Sequence, residues 1–207
     1  MKNEKETRNQ LLASAKKEFL EKGYMKASLR NICKNAGVTT GALYFFFQDK
    51  EDLFASLVNG PVEKLYEIMT LHYAKEIQNA DAKIDIEGDR SEDMETAQQM
   101  IHYIYLYKEE FDLVLTKSQG TRFEHTVDRF VAVSEEHYRR LADEAARQLN
   151  KKKLDDYMVH WLAHMSVDAF VHMITHELTE EEAKKHIEDI TTFVLSGWIR
   201  LVSRSFK

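Results

Sequence analysis

Histidines recur at intervals of four residues near the carboxyl end of the chain, with one carboxylate among them. His160, His164, His172 and His176 flank Asp168. Side chains four residues apart share a helix face, although each step drifts by about 40°, and a His-x-x-x-His pair can chelate a transition metal. Such a site needs a third or fourth ligand from elsewhere. The residues therefore indicate either a metal or haem sensor, or polar side chains that line a ligand pocket or a dimer interface.

A helical metal-dependent hydrolase that uses these histidines and the aspartate is a further alternative. The sequence lacks His-Glu-x-x-His, in which a glutamate acts as general base beside two zinc ligands, and it lacks Gly-x-Ser-x-Gly. We therefore predict that the protein is not an enzyme and has no catalytic residue, no metal ligand and no cofactor.

Residues 28–50, SLRNICKNAGVTTGALYFFFQDK, indicate a different chemistry. Ser28 is expected to cap a short helix with its hydroxyl, and apolar residues at helical spacing follow it. Gly37 stands where a left-handed residue ends a helix, and Thr39 can cap the next one. Two short helices joined in this way form a helix-turn-helix, whose second helix enters the DNA major groove.

Four consecutive aromatic residues, from Tyr44 to Phe47, lie on this second helix. Four consecutive positions cover every side of a helix, so at least one ring must be exposed. An exposed ring can stack on a partner or contact sugar-phosphate and thymine methyl groups. The aromatic run therefore favours a DNA-binding helix over a buried helical hairpin.

The run VTTGALYFFF at 38–47, followed by DKEDLF at 49–54, resembles the TetR family of bacterial transcriptional regulators, and the resemblance extends over residues 5–65. It implies an all-α fold of about nine helices. A three-helix helix-turn-helix DNA-binding domain would occupy residues 1–50, and a helical ligand-binding and dimerisation domain would occupy residues 51–207.

The resemblance also implies roles for individual side chains. Ser28, Tyr44 and Lys50 match positions that usually hold DNA phosphates. Lys50 begins a further helix, which is a suitable position for a phosphate contact. These contacts would orient the protein on the duplex without reading its sequence.

Thr39, Thr40 and Phe45 match positions that usually face base edges or the groove wall, and Gly41 is small enough for close approach. Many family members carry Lys or Arg at position 40 and a His or polar aromatic at position 46, where this chain has Thr40 and Phe46. A recognition helix without Arg, Lys, Asn or Gln lacks bidentate pairs to guanine and adenine. Thymine methyl groups, water and DNA shape are expected to carry more of the specificity.

Charge is distributed unevenly along the chain. Residues 1–55 contain ten Lys or Arg and seven Asp or Glu, a net charge of +3, and the remaining residues carry −9 of the total of −6. A basic reading domain on an acidic body would show this asymmetry.

Composition favours helices and a reducing cytoplasm. The chain has one Pro and seven Gly among 207 residues and no sustained alternation of apolar and polar residues. The single cysteine, Cys33, excludes an intrachain disulfide and lies on an apolar stripe, so a buried thiol is expected. No signal peptide or membrane-spanning apolar run is evident, which predicts a cytoplasmic protein without a membrane partner.

The helices of the body can be placed from turn signals. The fourth helix should kink or break at 59–61, Asn-Gly-Pro. Residues 79–92 are polar and unpatterned and are expected to form an exposed loop. A long helix should begin at Thr121, and the last two helices should cover 154–177 and 180–204.

The final helix is apolar on more than one side, and its mid-helix glycine indicates close packing. With the penultimate helix it is expected to form a four-helix interface between two copies of the chain. The predicted interface residues are Phe193, Gly197, Trp198 and Leu201.

The middle helices are rich in aromatic and methionine side chains, which can line a ligand pocket. The candidate pocket residues are Met69, Tyr73, Met100, Tyr103, Tyr107, Phe111, Phe123 and Phe170. We predict a homodimeric repressor that binds a double-stranded operator and is released by a small-molecule effector. The aromatic, acidic body favours an apolar effector that is neutral or cationic.

Overall fold

The computed structural model describes residues 2–82, 91–176 and 178–203, and within these ranges it contains nine helices and no strand. The helices are α1 (Lys2–Lys26), α2 (Leu29–Ala36), α3 (Thr40–Phe46), α4 (Lys50–Ala82), α5 (Ser91–Leu106), α6 (Lys108–Thr116), α7 (Thr126–Leu149), α8 (Asp156–Thr175) and α9 (Glu180–Ser203). The all-α prediction is confirmed. None of the helices in the described ranges has a segment long and apolar enough to span a bilayer.

The chain divides into two compact units. The first comprises Met1–Lys64 and Tyr107–Thr126 and contains α1, α2, α3, α6 and the beginning of α4. The ring of Phe54 on α4 lies 5.1 Å from that of Phe19 on α1 and 6.0 Å from that of Phe123. Aromatic packing of this kind stabilises the unit beyond the burial of apolar area.

This first unit is larger than the DNA-binding domain predicted for residues 1–50, because it takes in the segment from Tyr107 to Thr126. The backbone N–H of Tyr24 donates to the carbonyl of Lys117 at 2.9 Å, which joins the end of α1 to that segment. The assignment of DNA binding to residues 1–50 and of ligand binding and dimerisation to 51–207 remains a prediction.

The second unit comprises Leu65–Leu106 and Val127–Lys207. Helix α5 packs along α9, where Ile101, Met173, Ala183 and Ile187 form a buried apolar cluster. Thr179 and Glu182 form a reciprocal capping box at the start of α9, since each accepts a hydrogen bond from the other's backbone N–H.

Two helix boundaries differ from the sequence prediction. Helix α4 runs without interruption through Pro61, so a break at 59–61 is wrong, whereas the alternative of a kink there stays a prediction. The long helix α7 begins at Thr126 instead of Thr121. The Thr121 hydroxyl donates to the carbonyl of Ser118 at 2.7 Å and accepts from the N–H of Phe123 at 3.0 Å, so this threonine stabilises a turn.

The loop predicted for residues 79–92 is shorter than expected, since α4 extends to Ala82 and α5 begins at Ser91. Its central part, residues 83–90, lies outside the described residues, as does residue 204 at the predicted end of the last helix.

Candidate nucleic-acid interface

Helices α2 and α3 are joined by a tight turn of three residues. Gly37 adopts a φ of 69°, in the left-handed region that side chains other than glycine disfavour. The N–H of Val38 donates to the carbonyl of Cys33 at 3.0 Å, which closes the end of α2. The hydroxyl of Thr39 accepts from the N–H of Ala42 at 3.2 Å and caps α3. The turn and the threonine cap are therefore both as predicted.

Ser28 occupies the cap position of α2, but its hydroxyl makes no capping hydrogen bond, so that part of the prediction is wrong. Its backbone N–H instead donates to Oε1 of Glu18 on α1 at 3.1 Å. The same oxygen accepts from Lys22 Nζ at 3.0 Å and from Asn31 Nδ2 at 3.3 Å. A carboxylate of α1 therefore fixes the start of the helix-turn-helix.

Glu18 is only 3% exposed. Burial alone would raise the pKa of its carboxyl, but the hydrogen bonds from Lys22, Ser28 and Asn31 outweigh burial and hold that pKa below its ordinary value. The sequence analysis missed this residue. It follows Leu11 by seven positions, on the buried stripe of α1, and a carboxylate at such a position is a signal of a paired buried acid.

Helix α3 is held by one face and exposed on the other. Leu43 and Phe47 are buried, whereas Tyr44 is 56% exposed and Phe45 is 72% exposed. Gly41 is also exposed. The expectation that at least one aromatic ring of this helix faces solvent is confirmed.

The exposed positions of α3 lie four residues apart in two neighbouring rows, Thr40 with Tyr44 and Gly41 with Phe45. Because positions four apart share a helix face, they make one continuous surface of small and aromatic side chains. Thr39 is exposed beside them. All the α3 residues predicted to contact DNA therefore lie on one side of this helix, and their contacts with DNA remain a prediction.

Lys50 lies at the first position of α4 and is partly buried. Its ammonium donates to the carbonyl of Met25 at 3.3 Å and lies 4.6 Å from the centre of the Tyr24 ring. Burial lowers the pKa of the Lys50 ammonium, against the opposing charge of Glu18. An ammonium has three donors, so the predicted phosphate contact is compatible with this position.

The eight candidate pocket residues are divided between the two compact units. Tyr107, Phe111 and Phe123 belong to the first unit, where both phenylalanines are buried. The other five belong to the second unit, where Met69 and Met100 are buried and Tyr73, Tyr103 and Phe170 are partly buried. Their role in ligand binding remains a prediction.

A surface cleft of about 440 Å³ in the second unit contains none of the predicted pocket residues. It is lined by Leu71, Ala74, Lys75, Ile77, Gln78 and Arg140. Two of these side chains are cations, so this cleft does not match the apolar or cationic effector that composition suggested.

The four predicted interface residues lie on two sides of α9. Phe193 is 69% exposed, and Gly197 is exposed, with open space where a Cβ would stand. Trp198 and Leu201 are partly buried against the cluster of Ala142, Ala145, Leu154, Val159 and Val202. The second apolar face expected for α9 is therefore only partly covered within one chain.

The histidines of α8 form two pairs. The rings of His160 and His164 lie 4.6 Å apart, and those of His172 and His176 stack at 3.7 Å. His160 Nδ1 lies 2.7 Å from a carboxylate oxygen of Glu135. Within the described ranges, none of these histidines belongs to a group of three potential metal ligands. The metal- or haem-sensing alternative therefore gains no support from α8.

Comparison with known proteins places the helix-turn-helix in a class of bacterial regulators. Residues 11–57 match the sequence family described as "Bacterial regulatory proteins, tetR family". The transcriptional repressor BepR of Brucella suis is 47% identical over 53 residues, which cover 26% of this chain and 25% of that protein. The regulator AcrR of Shigella flexneri is 46% identical over 52 residues, 25% of this chain and 24% of that protein.

Solved structures extend the likeness of fold to almost the whole chain. NalD, the secondary repressor of the MexAB-OprM multidrug efflux pump in Pseudomonas aeruginosa, has a TM-score of 0.60 at 19% identity, over 94% of this chain and 98% of that one. A transcriptional regulator from Aquifex aeolicus has a TM-score of 0.57 at 17% identity, over 91% and 99% of the two chains.

The helix-turn-helix region of the chain, residues 11–57, is therefore similar to the TetR family, and over the rest of the chain the likeness is one of fold. The chain matches only about a quarter of the length of the curated relatives BepR and AcrR.

Proposed function

We propose that the protein is a DNA-binding transcriptional regulator, acting as a repressor that a small molecule releases from its operator. The exposed surface of α3, which carries Thr40, Gly41, Tyr44 and Phe45, is the observation that supports this proposal most directly. Aromatic and small side chains suit the apolar wall of the major groove and thymine methyl groups. The buried Leu43 holds the helix while the opposite side enters the groove.

Affinity would come from the phosphates on either side of the groove. The Tyr44 hydroxyl, the Lys50 ammonium and the Ser28 hydroxyl are the proposed phosphate contacts. The position of Ser28 depends on Glu18, which binds its backbone N–H. Such contacts set orientation and register, whereas Thr39, Thr40 and Phe45 would sense the bases and the shape of the groove.

The active form would be a homodimer, because one reading helix per chain must meet two half-sites about 34–36 Å apart. The exposed side of α8, with Tyr157 and Trp161, and that of α9, with Phe193 and Gly197, supply the apolar surface for this contact. An effector would act by favouring a separation of the two reading helices that misfits successive major grooves.

DNA binding can be tested by fluorescence anisotropy with labelled duplexes taken from the DNA that flanks the gene, and with shuffled duplexes of the same composition. The wild-type protein should bind one flanking duplex at least about 1000-fold more tightly than the shuffled one. Phe45→Ala should reduce that ratio, whereas Leu106→Ala, which removes an equally exposed apolar side chain outside α3, should not.

Equal affinity for flanking and shuffled DNA would contradict the proposed function. If Phe45→Ala left the ratio of affinities for flanking and shuffled DNA unchanged, α3 would not be the helix that reads the DNA sequence. Hydrolysis of simple esters or phosphoesters that depends on added zinc, with no DNA binding, would instead favour the hydrolase alternative.

A further inference from the structure

Three potential metal ligands lie close together within the second compact unit. They are distant in sequence from the histidines of α8. His72 and Glu76 lie one turn apart on α4, and Asp93 lies in the first turn of α5. His72 Nε2 is 3.4 Å from Glu76 Oε2 and 3.5 Å from Asp93 Oδ1. The three ligand atoms all lie within 4.8 Å of one another, and all three side chains are largely buried.

These separations fit the edges of a metal coordination polyhedron. Zinc binds imidazole nitrogen and carboxylate oxygen at about 2.0–2.2 Å in tetrahedral geometry, which puts neighbouring ligand atoms about 3.4 Å apart. The two measured distances from His72 Nε2 agree with that spacing. Two of the three edges therefore have the length that tetrahedral zinc requires, and the third, between Glu76 and Asp93, is no longer than 4.8 Å.

A second layer of side chains orients the first. Thr96 Oγ1 lies 3.2 Å from His72 Nδ1, so Nδ1 can donate to the hydroxyl and leave the Nε2 lone pair directed at the carboxylates. His137 Nε2 lies 2.9 Å from Glu76 Oε2. The contact with Thr96 is on the ring nitrogen that faces away from the carboxylates, as hydrogen bonds that fix the tautomer of a metal-binding histidine are. The contact from His137 is on the same Glu76 oxygen that faces His72, and it fixes that carboxylate.

His137 is itself held rigidly. It is almost completely buried, its ring stacks on that of Tyr73 at 3.8 Å, and the Tyr73 hydroxyl shares a hydrogen bond of 3.0 Å with Ser134. Nδ1 of His137 is buried without a hydrogen-bond partner. An unprotonated Nδ1 leaves the proton on Nε2, where it can be donated to Glu76, so His137 is suited to support a ligand as a neutral imidazole.

We propose that His72, Glu76 and Asp93 bind a divalent transition-metal ion of the zinc class, with Thr96 and His137 as positioning residues. Two carboxylates and one neutral imidazole form a donor set with a charge of −2, which matches a divalent cation. Mixed nitrogen and oxygen donors favour zinc and its transition-metal neighbours over magnesium and calcium, which prefer oxygen alone. The remaining coordination position would be taken by water. This inference does not depend on the proposed DNA binding.

Isothermal titration of the full-length, metal-free protein with zinc chloride tests the site, with magnesium and manganese chlorides titrated in parallel. Wild type should bind one zinc ion per chain and prefer it to magnesium. His72→Ala and Asp93→Asn should each weaken zinc affinity by about 100-fold or more. Thr96→Val, which keeps the shape and removes the hydroxyl, should weaken it by about 10-fold.

The matched control is the double variant His160→Ala/His164→Ala, which removes the His-x-x-x-His pair of α8 and should keep wild-type zinc affinity. Because His72→Ala can destabilise the unit, Asp93→Asn is the decisive variant, and circular dichroism checks that it is folded. Cobalt(II) provides an independent readout, since the wild type should give visible absorption bands of tetrahedral cobalt that Asp93→Asn lacks. No stoichiometric zinc binding by wild type, or binding that survives in Asp93→Asn and disappears in the α8 variant, would overturn the proposal.

Discussion

The backbone N–H of Ser28 donates to the buried carboxylate of Glu18 at 3.1 Å. In a capping box, the residue at the third helical position accepts this hydrogen bond. Here the third helical position is occupied by Asn31, whose amide donates to the same oxygen at 3.3 Å. The first helix of the unit therefore supplies the acceptor for the Ser28 N–H that α2 itself lacks, and the start of the helix-turn-helix is held by one side chain ten residues before it.

Glu18→Gln should lower the free energy of unfolding by about 1–3 kcal/mol, because the donors of Lys22, Ser28 and Asn31 would lose their charged, buried acceptor. Urea unfolding at pH 7 measures the difference. Glu21→Gln is the matched control, since Glu21 is exposed on the same helix and should change stability by less than about 0.5 kcal/mol. Equal effects of the two substitutions would contradict the role given to Glu18.

The contribution of Glu18 should also depend on pH. Its pKa in the folded protein is held below the ordinary value of 4.5, so the folded state binds a proton less readily than the unfolded state. The stabilisation is therefore fully present above about pH 4.5 and is lost as pH falls through the folded pKa. The stability difference between wild type and Glu18→Gln should be constant from pH 7 to 6 and shrink below pH 4.5. A difference that grew on acidification would have the wrong sign.

Tyr44→Ala and Lys50→Ala should each weaken binding to all DNA sequences and leave the dimer intact, because both residues are proposed to contact phosphates. Loss of the Lys50 cation should also reduce the slope of log affinity against log salt by about one unit. Lys17→Ala removes an exposed cation of the same charge from α1 and should leave that slope within about half a unit of the wild-type value. Unchanged affinity and slope in both Tyr44→Ala and Lys50→Ala would contradict the proposed position of the DNA-binding surface.

Local sequence signals were sufficient to predict the helix-turn-helix. Gly37 at a left-handed position, Thr39 as a cap and the exposed Tyr44 and Phe45 each follow from rules that act over a few residues. The exception within this segment is Ser28, whose cap comes from Glu18. That contact joins residues ten positions apart across a helix boundary, and local pattern does not predict it.

Tertiary packing explains why the sequence pattern did not predict the group of potential metal ligands. The sequence pattern singled out histidines at regular spacing on α8, but the group of three potential metal ligands among the described residues lies on α4 and α5. His72 and Asp93 are 21 positions apart, so only the packing of the two helices brings them together.

Gly37→Ala should destabilise the protein by about 1–2 kcal/mol, because a Cβ at a φ of 69° is strained. Nothing lies within 4 Å of the position where that Cβ would stand, so the cost comes from the backbone alone. Gly60→Ala has equally open space in the interior of α4 and should stabilise the protein by about 0.5–1 kcal/mol. Thermal unfolding of the two variants should therefore shift in opposite directions, and a shift of the same sign would contradict this assignment.

Gly197→Leu should disrupt the proposed dimer and leave the fold of each chain intact. Beyond the backbone of α9 itself, no heavy atom of the described residues lies within 4 Å of the added Cβ, so a leucine fits the isolated protomer. In a dimer packed through α8 and α9, the same side chain would overpack the contact between copies. Gly60→Leu is the matched control, because it adds the same side chain at an equally open helical position.

Sedimentation velocity at micromolar concentration distinguishes the outcomes. Wild type and Gly60→Leu should sediment as dimers, and Gly197→Leu should sediment as a folded monomer or as aggregate. A wild-type monomer would defeat the dimer proposal itself. A Gly197→Leu dimer of wild-type affinity would show that the contact between copies lies elsewhere, because a close-packed interface does not accommodate four added carbon atoms without loss of affinity.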